Sequence, residues 1–113
     1  TLFRSSAASD VYKRQELCGG PRSAFDYVEL AKLYRTVFLS GVPVLAEEAN
    51  DSARRFVSLV DELYDRRVRL IMAAEADVHH LYDGRSLAFE FKRTQSRLME
   101  MRSLDYLGRE HLL

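Results

Sequence analysis

The sequence predicts an α/β fold, a small sheet with helices packed along it, and three observations predict it. Ala53, Phe56, Val57, Val60, Leu63 and Tyr64 recur at spacings of three and one, a single apolar stripe at the helical period. Directly after that stripe, Val68-Arg69-Leu70-Ile71-Met72-Ala73-Ala74 is almost continuously apolar, the pattern of a strand covered on both faces in a parallel sheet. Upstream, Thr36-Val37-Phe38-Leu39 is β-prone and ends at Gly41-Val42-Pro43, a short buried strand and a turn. A helix followed at once by a buried strand is half a turn of α/β architecture.

The remaining elements follow in chain order. Residues 1–15 show no sustained helical or strand period and are expected to be disordered. Thr1-Leu2-Phe3-Arg4-Ser5 is also the translation of ACG CTC TTC CGA TCT, the end of a common sequencing adaptor. The segment is therefore read as non-native read-through, the alternative being a poorly ordered native terminus. Cys18-Gly19-Gly20-Pro21 makes a loop of 16–22. Ser23 can cap a helix to about Tyr34, with Phe25, Val28, Ala31 and Leu33 on one side. Asn50 or Asp51 can cap the striped helix. Asp77 to Tyr82 suits one or two helical turns, stopping at Asp83-Gly84. Leu87-Ala88-Phe89-Glu90-Phe91 alternates apolar and polar residues as a brief strand does, and helix formers dominate from Lys92 to Met101. Ser103 can cap a last helix through Arg109.

Composition narrows the function classes. With 113 residues the chain supports one small core, and 47% hydrophobic with 30% charged residues is an ordinary globular balance. Seventeen basic and 17 acidic residues cancel, which argues against nucleic-acid binding by bulk charge. The single Cys18 cannot form an internal disulfide, which points to a reducing compartment. No apolar run approaches the roughly 18 residues of a membrane-spanning helix.

Complete catalytic motifs are missing from the sequence. It holds no G-x-x-x-x-G-K-[ST] phosphate loop, no G-x-G-x-x-G and no H-E-x-x-H. His79 and His80 are adjacent, so on a helix they point about 100° apart and chelate poorly; surface imidazoles are the plainer reading. Asp61 and Asp65 can share a helix face as a metal or general-base pair. With Arg54, Arg55, Arg66, Arg67 and Arg69 close in sequence, a solvated ion-pair surface accounts for them as well. Arg93 and Arg97 are four apart, and two guanidinium groups on one helix face can clamp a phosphate or carboxylate.

Longer blocks carry more. Leu17-Cys18, Pro21-Arg22-Ser23-Ala24 and Asp26-Tyr27 fit the pattern LC…PR-x-A-x-DY. Thr36 to Leu39 leads into Val42-Pro43, and Ala53-Arg54-Arg55-Phe56 continues through Leu59-Val60-Asp61-Glu62-Leu63-Tyr64-Asp65 to Val68 and Leu70. Phe89-Glu90-Phe91-Lys92-Arg93-Thr94 runs on through Ser96-Arg97-Leu98 and Glu100-Met101 to Tyr106-Leu107. In this collinear order the chain resembles the C-terminal part of the ZapE and Afg-type (lactation-elevated protein) family of P-loop ATPases, over essentially residues 16–111.

The resemblance implies that residues 16–113 are the C-terminal portion of an AAA-type P-loop NTPase domain, an incomplete sheet with flanking helices. The parent protein would bind ATP with Mg²⁺, hydrolyse it and couple hydrolysis to remodelling a protein partner, as a homo-oligomer. Bacterial members are linked to cell division and the division-ring protein FtsZ, which implies the cytoplasm; eukaryotic members are linked to mitochondrial quality control. The family's phosphate loop and Mg²⁺-holding motif lie upstream of this segment, so the fragment alone is expected to be inactive and to bind neither ligand well. Arg54, Arg55, Arg93 and Arg97 fall in the matching blocks and are the candidates for an arginine that reaches the γ-phosphate or a neighbouring subunit. For Arg54 and Arg55, pairing with an acid inside the domain is the alternative. A stand-alone protein-interaction domain without enzymatic activity is the alternative for the whole chain.

Overall fold

Helix α2 (Asn50–Asp65) carries more of the buried core than any other described element. A computed structural model of the chain describes residues 4–5, 9–13 and 24–112, with side chains from residue 27 to 112. The other elements are strands β1 (Arg4–Ser5), β2 (Ser9–Lys13), β3 (Thr36–Val42), β4 (Leu45–Ala46), β5 (Arg69–Ala74) and β6 (Tyr82–Asp83), and helices α1 (Ala24–Leu33), α3 (Ala88–Glu100) and α4 (Leu104–Leu107). Short 3-10 turns occupy Glu47–Ala49 and Val78–His80. The loop at 16–22, Cys18 and the Ser23 cap lie outside the described residues. Of the segment 1–15, the described backbone is β1 and β2.

Ala53, Phe56, Leu59, Val60 and Leu63 of α2 are fully buried, while Val57 and Tyr64 are partly so. This stripe packs α2 against α1 and α3. Burying a side chain of this size contributes about 1.5–3 kcal/mol, so these residues dominate the local energetics. Contrary to the sequence expectation, no side chain caps α2; the 3-10 turn leads straight into it, and Asn50 turns its amide to Glu47 instead. The helix stops in a Schellman motif. The N–H of Val68 donates to the Leu63 carbonyl at 2.9 Å and that of Arg67 to Tyr64 at 3.1 Å, with Arg67 at φ 59° in the left-handed region.

Two sheets form. The larger has the order β1-β2-β3-β5, with β2–β3 and β3–β5 parallel and β1–β2 antiparallel; the smaller is a parallel bridge of β4 with β6. The α/β class expected from sequence is therefore what the chain adopts. Strand β3 extends through the expected turn to Val42. Its register against β5 slips between Leu39 and Val42, where Gly41 at φ +73° supplies a backbone conformation other residues rarely adopt.

Four expectations are corrected. Among the described side chains of α1, Tyr27, Leu30 and Ala31 are buried, Val28 is half-buried and Leu33 is 69% exposed, because the helix turns its tyrosine edge inward; Ala31 is as expected, and Phe25 lies outside the described side chains. Strand β5 is only partly covered, with Ile71 53% exposed. Residues 88–91 are helical: Leu87, Phe91, Thr94, Leu98 and Met101 recur at four, three, four and three and are all buried. Phe89, which gave the look of alternation, is 85% exposed. The 77–82 segment is a single 3-10 turn capped by Asp77, followed by the β6 bridge rather than more helix.

Candidate functional site: an arginine cluster on the second and third helices

Arg93 and Arg97, one helical turn apart on α3, both reach Asp61 on α2. Arg97 Nη1 lies 2.5 Å from Asp61 Oδ1 and Arg93 Nη2 3.1 Å from Oδ2. Each carboxylate oxygen thus holds one guanidinium, the charge-assisted geometry expected of such pairs. Their settings differ. The Arg97 side chain is 25% exposed and its guanidinium carbon sits 4.8 Å above the Tyr64 ring, whereas Arg93 is 57% exposed. Arg97 is packed and Arg93 faces outward.

The network continues along the seam. The Tyr64 hydroxyl donates to Glu100 Oε1 at 2.8 Å, and that bond is the first cause of a phenol pKa raised above its ordinary value. Arg109 Nη1 lies 3.6 Å from Glu100 and Nη2 2.7 Å from Asp105. Tyr64 stacks on Tyr106 with ring centres 6.0 Å apart.

Of the sequence-derived candidates, the structure brings Arg93 and Arg97 together and leaves Arg54 and Arg55 on a separate stretch of α2. Arg54 is exposed and Arg55 half-buried. Asp61 does bind arginines, but those of α3 rather than the ones near it in sequence. Asp65 is exposed. His79 and His80 are also exposed, with His80 Nδ1 2.8 Å from Asp77. Among the described residues no group of three or more His, Cys, Asp or Glu is placed to hold a metal ion. The described residues therefore offer no magnesium site.

A second cluster has no motif in the sequence. Glu47 Oε1 accepts the backbone N–H of Arg85 at 2.6 Å and of Ser86 at 3.2 Å, and Oε2 accepts the Ser86 hydroxyl and Asn50 Nδ2. These donors, led by the Arg85 N–H, hold its pKa at about 2. Tyr82 donates to Asn50 Oδ1 at 2.9 Å and accepts the N–H of Leu87 at 3.1 Å. The result is a latch that ties the start of α3 to the start of α2, and so sets where Arg93 and Arg97 stand. Gly84 is part of it: a Cβ there would collide with the Tyr82 hydroxyl and lie 2.8 Å from Glu47 Oε1. The signal available in sequence was only the Asp83-Gly84 turn, since the acceptor sits more than 35 residues away.

The profile of the AFG1-like ATPases matches residues 3–110. The chain belongs to that family. Over 96 residues it is 49% identical to the cell division protein ZapE of Escherichia coli (strain K12), a match that covers 85% of this chain and 26% of the relative. Over 101 residues it is 40% identical to lactation elevated protein 1 homolog B of Danio rerio, covering 89% of this chain and 20% of the relative. The chain thus spans about a quarter or less of the length of these AFG1-like relatives. No solved structure matches it. Within the described part of this AFG1-like chain, no helix is long and apolar enough to cross a membrane.

Proposed function

We propose that this segment is the C-terminal part of an ATP-hydrolysing, AAA-type protein related to ZapE, which couples hydrolysis to remodelling of a protein partner in cell division. The parent acts in the cytoplasm as a homo-oligomer, and the nucleotide and Mg²⁺ are held by its other parts. Family membership supports the ATPase reading. The observation that carries the role of this segment is the division of Asp61 between two arginines of unequal exposure. A guanidinium has five N–H donors in a fixed fork. Asp61 occupies one edge of Arg93 and leaves the outward donors either for a γ-phosphate, where they stabilise charge developing in the transition state, or for an acid on a neighbouring subunit as a contact between subunits. Arg97, packed on Tyr64, holds Asp61 and thereby positions Arg93.

The test is single replacement of Arg54, Arg55, Arg93 and Arg97 by alanine in the full-length protein, with steady-state ATP turnover and thermal midpoint read together. Arg93→Ala is expected to slow turnover by 10-fold or more at an unchanged midpoint, the magnitude seen when a transition-state donor is removed being about 10²–10³. Unchanged turnover in all four variants would remove the catalytic assignment. The 113-residue chain alone is expected to give no ATP binding by calorimetry.

A further inference from the structure

Strand β5 is the last strand of the larger sheet, and among the described residues it is paired on one side alone, with β3. The pairing fixes which backbone groups face the open side. Arg69 N donates to Arg35 O at 2.8 Å and Glu75 N to Val42 O at 2.9 Å. In a parallel ladder alternate residues turn to the same neighbour, so 69, 71, 73 and 75 serve β3. Leu70, Met72 and Ala74 point their N–H and C=O groups outward.

The flanks of that edge are apolar with charged residues among them. A hollow of about 350 Å³ is bounded by Leu70, Met72, Leu98 and Met101 together with Asp77 and Arg102, and another of about 680 Å³ by Leu70, Ile71, Met101 and Leu107 together with Thr36, Arg69 and Arg102. Leu70 and Ile71 belong to opposite faces of the strand, and Thr36 and Arg69 place the second hollow at the start of β3 and β5. Exposed edges are ordinarily protected by lysine, proline, a bulge or a covering segment, because free ladder groups recruit other strands. Arg69–Ala74 holds one charge, at its start, and no proline.

We infer that the open edge of β5 receives a further parallel strand from the portion of the parent protein outside this chain, its apolar side chains filling the hollow beside Leu98 and Met101. The inference rests on the reading of the chain as part of a longer ATPase. Two features select this occupant over a second copy of the chain. The matched segment is 26% of the length of its ZapE relative, so ample polypeptide is tethered nearby at high effective concentration. The β3–β5 pair, between the two strands of this sheet that lie within residues 16–113, is parallel, whereas a two-fold contact between two β5 edges has to be antiparallel.

Amide hydrogen exchange resolved by residue, on the full-length protein and on the 113-residue chain, tests it. In the full-length protein Leu70, Met72 and Ala74 are expected to exchange as slowly as Ile71 and Ala73 at every concentration. In the 113-residue chain the first three are expected to exchange at least 100-fold faster than they do in the full-length protein. Fast exchange at Leu70 and Met72 in the full-length protein overturns the inference. Protection in the short chain that rises with concentration, together with a dimer in sedimentation, overturns it in favour of a second copy. ATP turnover measured on the same full-length sample separates the two readings: turnover without edge protection removes the strand and leaves the ATPase.

Discussion

The phenol of Tyr106 on α4 donates to the carbonyl of Val68 at 2.6 Å, tying the end of the chain to the turn between α2 and β5. The Leu63 carbonyl lies 3.2 Å from the same oxygen. Burial, before any charge, raises the Tyr106 pKa well above the ordinary phenol range, so the group remains a donor at every working pH. Tyr106→Phe keeps the stacking on Tyr64 and deletes only the donor. The loss of a buried hydrogen bond costs about 1–2 kcal/mol, and the urea midpoint is expected to fall accordingly, by the same amount at pH 6 and pH 8. A fall present at one pH alone would contradict the assignment.

Glu47 supplies a pH-dependent contribution whose direction follows from its lowered pKa. A carboxylate with a folded pKa of about 2, against 4.5 ordinarily, binds fewer protons folded than unfolded across that interval. Its stabilisation is complete above about pH 5 and is lost as pH falls towards 2. Glu47→Gln is expected to lower the thermal midpoint at pH 7 and to flatten its decline between pH 5 and pH 3. A variant with the parental slope in that window would place the acid sensitivity elsewhere.

Gly84 and Arg67 make opposite predictions from the same kind of geometry. A methyl group at Gly84 meets the Tyr82 hydroxyl and Glu47 Oε1, both fixed by further bonds. Gly84→Ala is expected to cost about 1–3 kcal/mol, the usual range for overpacking. Arg67 occupies the left-handed position of the Schellman motif, where glycine is the ordinary residue. Arg67→Gly is expected to stabilise by about 1 kcal/mol, the strain of a left-handed conformation being about 1–2 kcal/mol. Urea titration of the two variants checks both signs, and a destabilised Arg67→Gly would mean that the arginine side chain outweighs the strain.

Legibility in the sequence tracked locality. The α2 stripe was readable because its pattern repeats for three turns: Ala53, Phe56, Val60 and Leu63 are buried as the stripe requires, while Leu59 joins them from beside it and Val57 and Tyr64 stay partly exposed. The start of α3 was not, since Phe89 happens to sit between Leu87 and Phe91 and imitates a strand over five residues. Only the longer run to Met101 shows that Leu87 and Phe91 belong to a helical series. The pairing of Arg93 and Arg97 on one face was readable from their spacing of four. Their partner was not, because Asp61 lies 32 and 36 residues back and nearer arginines offered themselves. The Glu47 latch left little local trace, because two of its donors are backbone N–H groups, which carry no residue identity, and the segment that supplies them lies more than 35 residues away.

The two arginines on Asp61 are expected to separate in a double-mutant cycle. Both form ion pairs with one carboxylate, but screening by solvent differs. Arg97 and Asp61 are about three-quarters buried and their bond is short, whereas Arg93 is more than half exposed. Exposed pairs contribute about 0.2–1 kcal/mol and many contribute nothing measurable. The coupling of Asp61→Asn with Arg97→Ala is therefore expected to reach about 1 kcal/mol, and that with Arg93→Ala to stay below about 0.5 kcal/mol. In the full-length protein the order reverses for turnover: Arg93→Ala slows ATP hydrolysis at an unchanged midpoint, and Arg97→Ala lowers the midpoint first. Equal couplings, or a slowing confined to Arg97→Ala, would assign Arg93 to the surface and leave Asp61 and Arg97 as a strut between α2 and α3.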